Sequence, residues 1–514
     1  MMSRNLFFIF IIKLVLIIGL SSSNVVEVLT KYGKVIGKTY SAIKNSKVDV
    51  WYSIPYAKPP VAELRFKNPV EPNSWKGSKN VTSLPNTCIQ ASNIADKVDP
   101  MPEWNTLSPM SEDCLYLSVF VPQPRPKNAA VMFWLYGGSF VFGSSTTSLY
   151  DYKTLSSLGN VIIVAPQYRV GVFGFFFSNT SDATGNAGLF DQLLALKWTK
   201  ENIANFGGDP NKITLFGQSA GAASVGFHVM SSLSSPLFER AILQSGSPTS
   251  LWAIQDKQDT LNYCLNIAEK LQCHLEESLT PSVMECLRKI EPEKFFFDAL
   301  HVGYLTFVPR PIIDGVLIEK NYRKNLNSTY FKSNMSVLIG SNNGEGMTFL
   351  YEMLYELFGI DVKKERVIST KVLFNAIKSI MKLDKLDFPD SIINDIIDEY
   401  TDYNDHNNDS LNVNILRDII SDFFFTCDIN KFSDNFVGHN EDSINSKKER
   451  LSKYYFKYVS NKRKNYPLWS GALHGDELYY LFGMPFLLEN NFTHEDRHLS
   501  FDIITYFTNF AKSG

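Results

Sequence analysis

The chain has almost no charge imbalance, few histidines, no Cys-x-x-Cys, no repeat and no Pro/Ser-rich linker. The 50 Lys and Arg against 53 Asp and Glu leave a net charge of −3, so neither nucleic acid nor an anionic membrane surface is an expected partner. The six cysteines are Cys88, Cys114, Cys264, Cys273, Cys286 and Cys427. Without Cys-x-x-Cys spacing they argue against zinc or dithiol redox chemistry, and no metal or cofactor is expected. In an oxidising compartment two local bridges are open, Cys88 with Cys114 and Cys273 with Cys286. With neither linker nor repeat, 514 residues read as one large α/β domain with long insertions, not as three small ones. Beyond the N-terminus no stretch reaches the ~18 apolar residues of a membrane span.

What is present begins with residues 1–23. Arg4 precedes two apolar runs, 6–12 and 14–20, and Ser21-Ser22-Ser23 follows. This is the pattern of a secretory signal peptide cleaved near Ser23, which leaves a domain over 24–514 and no transmembrane span. Lys13 interrupts the apolar run; an uncleaved anchor is the alternative. Asn-x-Ser/Thr sequons stand at Asn80, Asn179, Asn327, Asn334, Asn408 and Asn491 and suit a glycosylated, extracellular protein.

The stretch around which the rest is organised is Ile213-Thr214-Leu215-Phe216-Gly217-Gln218-Ser219-Ala220-Gly221. It reads as a short strand, Gly-x-Ser-x-Gly, then a helix from Ala222 to about Met230. A serine alcohol is a poor nucleophile and must be exposed on a sharp strand-to-helix turn. Glycines on either side remove the clash, and a helix N-terminus favours developing negative charge. The plain alternative is a Gly-rich turn beside an N-cap serine; the strand before and the helix after weigh against it.

Further apolar runs at 131–135 and 161–165 read as strands buried on both faces. Residues 35–40, 240–244, 337–340 and 454–458 read as other strands. Leu189, Leu193, Leu196 and Ile203 share one helical face. Alternating strands and helices predict a mostly parallel sheet covered on both sides. Residues 360–450 are expected to be helix-rich, with 402–409 a loop.

The serine needs a base, and the base needs an acid to fix its tautomer. Of eight histidines, His474 stands out in the loop-like Gly471-Ala472-Leu473-His474-Gly475. Glu345, just past the strand at 337–340, is a candidate acid in the order Ser…Glu…His. Spacing alone leaves Asp314 as a rival.

With these motifs in place the chain resembles the type-B carboxylesterase and cholinesterase family of α/β-hydrolases, from about Tyr32 to its last residue. The resemblance also rests on Ser111-Glu112-Asp113-Cys114-Leu115-Tyr116-Leu117, Asn205-Phe206-Gly207-Gly208-Asp209-Pro210, Ala241-Ile242-Leu243-Gln244-Ser245-Gly246-Ser247 and His474-Gly475-Asp476-Glu477-Leu478. It implies an α/β-hydrolase fold and a secreted serine carboxylic ester hydrolase acting on small-molecule esters. It implies Ser219 as nucleophile, Glu345 as orienting acid and His474 as base. The oxyanion donors carry over to the amides of Gly138, Ser139 and Ala220, with Ser245 and Glu477 close to the triad. The bridges carry over as Cys88–Cys114 and Cys273–Cys286. Cys264 and Cys427 are left to pair with each other or stay free.

Within the family the chain is similar to the cholinesterase branch. Trp104 matches the tryptophan that holds a quaternary ammonium, a contact worth up to ~2 kcal/mol when desolvated, although plain loop packing is the alternative. Trp252 and Phe349 match acyl-pocket aromatics. Three residues depart. Gln218 stands where cholinesterases carry glutamate, and Gly-Gln-Ser-Ala-Gly resembles juvenile hormone esterases, which act on a neutral methyl ester. Ser139 stands for a third glycine, and Thr348 for an aromatic. The sequence ends at Gly514, where the family continues through a Trp-Pro segment, a strand and a helix, so the domain reads as C-terminally incomplete. A neutral-ester carboxylesterase and an inactive adhesion or scaffold member remain the alternatives, and the oligomeric state stays open.

Overall fold

The computed structural model describes residues 24–91, 105–273, 278–296, 309–322, 335–361, 367–383, 388–401, 412–438, 451–463 and 466–514. The leader at 1–23, Trp104, Asn327, Asn334, Asn408 and the loop at 402–409 lie outside them.

One mixed sheet of 11 strands carries the fold. In chain order these are β1 (Val25–Thr30), β2 (Gly33–Ser41), β3 (Lys47–Pro55), β4 (Ser78–Asn80), β5 (Tyr116–Pro122), β6 (Ala129–Leu135), β7 (Ile162–Pro166), β8 (Gly208–Gln218), β9 (Arg240–Gln244), β10 (Ser336–Asn342) and β11 (Leu451–Phe456). Their spatial order is β1-β2-β3-β5-β7-β6-β8-β9-β10-β11, with β4 beside β2. From β7 to β11 every neighbour is parallel; β1, β2, β3 and β5 form an antiparallel flank. The chain leaves β6 towards β7 on one side and returns to β8 on the other. Such a reversal opens a crevice at the carboxyl ends of the strands, here those of β6 and β8.

The central strands are apolar throughout because both faces are covered: Val131, Met132, Phe133, Trp134 and Leu135 are all 0% exposed. Helix α1 (Ala187–Asn202) buries Leu189, Leu193 and Leu196, the face expected from their spacing. It also buries Asp191, whose carboxylate takes Arg169 Nε and Nη2, each at 2.7 Å. Burial pushes the Asp191 carboxyl upward and the Arg169 charge opposes the shift. Helix α2 (Ala220–Met230) is buried from Ala220 to Val229, which explains its run of Ala, Gly and Ser.

A second, smaller core gathers Phe66, Phe173, Phe176, Phe295, Met284 and Leu287. Arg65 ties it to the segment that leads into β5, donating to both oxygens of Glu112 at 2.6 Å and to the carbonyls of Leu287 and Ile290. Disulfides join Cys88 to Cys114 and Cys273 to Cys286. Cys264 and Cys427 are both free, the first buried and the second exposed. No described helix is long and apolar enough to cross a membrane.

Candidate active site

Strand β8 ends at Gln218 and α2 begins at Ala220, so Ser219 alone makes the turn. Its φ of 57° and ψ of −123° fall where L residues are seldom found and strain is stored. The turn is held by Ser219 N donating to Gln244 O at 2.8 Å and by Ala223 N donating to Ser219 O at 2.9 Å. The flanking glycines are steric necessities. A Cβ on Gly217 would stand 2.6 Å from the Gly221 carbonyl, and one on Gly221 would stand 2.0 Å from Leu135 O.

The loop after β6 lies against this elbow. A Cβ on Gly137 would approach Gln218 O to 2.7 Å and Ser219 Cβ to 3.1 Å. Gly138 has φ 117° and Ser139 φ 56°, so Ser139 carries the side-chain penalty of a left-handed residue, roughly 1–2 kcal/mol. Among the described residues the N–H groups of Gly138, Ser139 and Ala220 have no protein acceptor.

Two loops meet beside the elbow. Glu345 follows β10, and its Oε1 accepts from Asn342 N at 2.6 Å. Its Oε2 lies 2.6 Å from His474 Nδ1. Asn342 Nδ2 donates to Leu473 O and to Glu477 Oε2, each at 2.6 Å, and Ala472 N donates to Asn343 Oδ1 at 2.7 Å. With a carboxylate at Nδ1, that nitrogen carries the proton and Nε2 the lone pair. Nε2 is 3.1 Å from Gln218 Nε2; Ser219 Oγ makes no hydrogen bond to the ring. The ring packs on Phe425 and Phe349, with centroids 4.7 Å and 5.7 Å away.

The His474 loop is pinned from behind. Arg463 Nη1 donates to Asp476 Oδ2 and Gly471 O, each at 2.8 Å, and Nη2 to Pro467 O at 2.9 Å. Leu473 N donates to the same Asp476 oxygen at 2.7 Å. Burial pushes the Asp476 carboxyl up to about 6, against the pull of Arg463. Burial, then the nearby Glu345 charge, pushes Glu477 up to about 7. Ser245, φ 53°, closes the far side: a Cβ on its neighbour Gly246 would lie 2.5 Å from Ser219 O.

Ser139, Ser219, Trp252 and Phe349 line a small cavity that opens to solvent, together with Arg310, Phe424 and Phe425. Trp252 Nε1 donates to Phe424 O at 2.8 Å. Asp314 is elsewhere. Its Oδ1 accepts from the amides of Val316, Leu317 and Ile318, and its Oδ2 from Asn186 Nδ2. Asn80, Asn179 and Asn491 are exposed. Among the described residues no cluster of His, Cys, Asp and Glu could hold a metal. Sequence reasoning passed over Asn342, Arg463, Arg310, Phe424 and Phe425. The unbroken Phe423-Phe424-Phe425 was the one available signal.

A family model described as the carboxylesterase family matches residues 24–514. The chain belongs to the carboxylesterase family. Its fold is accordingly the α/β-hydrolase fold, and it is a hydrolase acting on carboxylic esters of small molecules. Among its relatives, acetylcholinesterase 1 of Caenorhabditis briggsae is 35% identical over 477 residues, 90% of this chain and 74% of that protein. Acetylcholinesterase 1 of Caenorhabditis elegans has the same identity and coverage. Cholinesterase of Mus musculus is 34% identical over 500 residues, 95% of this chain and 78% of that protein. Against this carboxylesterase frame, Gln218 stands in contact with the histidine ring, and the cation-holding role expected of Trp104 falls outside the described residues.

Proposed function

We propose that this carboxylesterase is a secreted serine ester hydrolase of cholinesterase-like specificity, working through an acyl-serine intermediate. The observation that carries the mechanism is the 2.6 Å contact between His474 Nδ1 and Glu345 Oε2, which turns Nε2 toward the Ser219 turn. His474 takes the Ser219 proton as Oγ attacks the ester carbonyl. The amides of Gly138, Ser139 and Ala220 receive the negative oxygen; losing one such donor costs about 10²–10³-fold. His474 then protonates the leaving alcohol, and water repeats the sequence to release the acid. Trp252 and Phe349 hold the acyl group. Two disulfides, the exposed sequon asparagines and the apolar leader support secretion.

A second reading is favoured by Gln218 and Arg310. The first removes the carboxylate that would attract a cation, and the second brings a guanidinium to the cavity wall; both suit a neutral ester. An inactive scaffold member is disfavoured by the intact set of Ser219, Glu345 and His474. The test is turnover of acetylthiocholine against an uncharged naphthyl ester by the secreted protein, before and after an organophosphate. Faster choline-ester turnover supports the first reading and naphthyl-ester preference the second. No turnover of either ester overturns both.

A further inference from the structure

Gln218 has a place in the site that substrate binding does not explain. It is 2% exposed and wedged between the loop after β6 and the histidine ring. Its Nε2 is 3.1 Å from His474 Nε2, and its Oε1 is 2.9 Å from where a Cβ on Gly137 would stand. Glu345 accepts the Nδ1 proton, so His474 Nε2 presents a lone pair and the amide nitrogen is the donor. That lone pair is the one Ser219 needs for its proton.

We propose that Gln218 is a positioning residue that caps His474 Nε2 and yields that nitrogen to Ser219 when an ester enters. The inference rests on His474 being the base. The cap fixes both the ring plane and the tautomer. An amide is two-faced: rotated by half a turn it offers Oε1, an acceptor suited to the imidazolium that exists after proton transfer. A carboxylate could only accept and would favour the charged ring at every stage. Gln218 therefore keeps the base usable at lower pH than glutamate would.

The other titratable or charged groups around His474 are Glu345 at Nδ1, Asp476 and Glu477 in the helical turn that follows it, Arg463 bonded to Asp476, and Tyr454 on β11 near Glu345 and Glu477. All are unchanged by substitution of Gln218, so the shift in Gln218→Met, which adds no charge, reports the cap itself, and Gln218→Glu measures what a carboxylate in its place would do.

The experiment is NMR titration of the His474 ring in full-length protein labelled at histidine, with the resonance assigned by His474→Gln. It is run on wild type, Gln218→Glu and Gln218→Met. Gln218→Glu is expected to raise the ring's titration midpoint by about 1–2 pH units, and to move the acid limb of kcat/KM up with it. Gln218→Met is expected to raise it by less, since the neutral ring loses a donor without gaining a charge. A midpoint unmoved within about 0.3 unit in folded Gln218→Met overturns the proposal, whatever Gln218→Glu shows. The ring is read without turnover: a shifted midpoint in an inactive protein refutes the esterase reading and leaves the Gln218 contact standing. An unmoved midpoint in an active protein refutes the cap alone.

Discussion

At Gly221 a single methyl group decides whether the elbow can form. The Cβ of Gly221→Ala would meet the backbone oxygen of Leu135 at 2.0 Å, and neither backbone can yield without moving a central strand. We expect ester turnover to fall at least about 10²-fold, the usual result of a misplacement near 1 Å, read by stopped assays on protein shown folded by circular dichroism. Glu477 gives a pH prediction. Its folded carboxyl titrates at about 7 against 4.5 in the open chain, so the native state holds a proton that the unfolded chain releases. The stability from this group is complete below about pH 4.5 and is lost as pH rises towards 7, roughly 3 kcal/mol in all. Urea midpoints of Glu477→Gln should therefore fall less than those of wild type between pH 5 and 8; parallel curves would refute the assignment. Residue by residue, the site was partly legible. Ser219 could be read because strand, glycine pair and helix constrain one another locally. Glu345 could not be separated from Asp314 by spacing, since only tertiary structure sends Asp314 to cap the amides of residues 316–318.

Among the elements, the π-helical turn Asp422–Thr426 shapes the acyl side. It sits between the helices Asn412–Ser421 and Cys427–Gly438, and its wide winding turns both Phe424 and Phe425 toward the cavity, as such turns at functional sites often do. Phe425→Ala removes the ring beside His474 and Phe349. We expect the ratio of butyryl to acetyl ester kcat/KM to rise about tenfold, the scale of one or two methylenes in an apolar pocket. The loop at 466–476 depends on Arg463 in the same way. Arg463→Met strips the Asp476 carboxylate of its charged partner, and unfolding should become easier by about 3 kcal/mol. Kcat should fall with KM little changed, because the ring loosens while the cavity keeps its walls; an unchanged kcat would show that the pin is structural only. Neither element was visible beforehand. Three consecutive phenylalanines fit any helix, and no periodicity links Arg463 to Asp476. Strand β3 also escaped because buried Asp49 interrupts its apolar pattern. That carboxylate is satisfied by Thr39, Gln123 and Arg125, partners brought in by neighbouring elements.

For the molecule as a whole, the sheet sets the geometry. The parallel strands β6, β8, β9 and β10 all end on one side, and from those ends come the loop at Gly138, the turn at Ser219, Ser245 and Glu345. The sequence pattern predicted the parallel core from unbroken apolar runs such as 131–135 and 161–165, which correspond to β6 and β7. It did not predict the strand order, which depends on how long connections cross over the sheet. His474 reaches this edge from a loop that follows β11, tied to the β10 loop by Asn342 and Asn343. In the mechanism we propose, Ser219, driven by His474, is the attacking group. The most direct measurement is mass spectrometry of the protein after a fluorophosphonate, run beside Ser219→Ala and His474→Ala. One adduct on Ser219, absent in Ser219→Ala and slowed by about 10³-fold or more in His474→Ala, is the expected result. Ester turnover that survives in Ser219→Ala, or an adduct on a different residue, would contradict it.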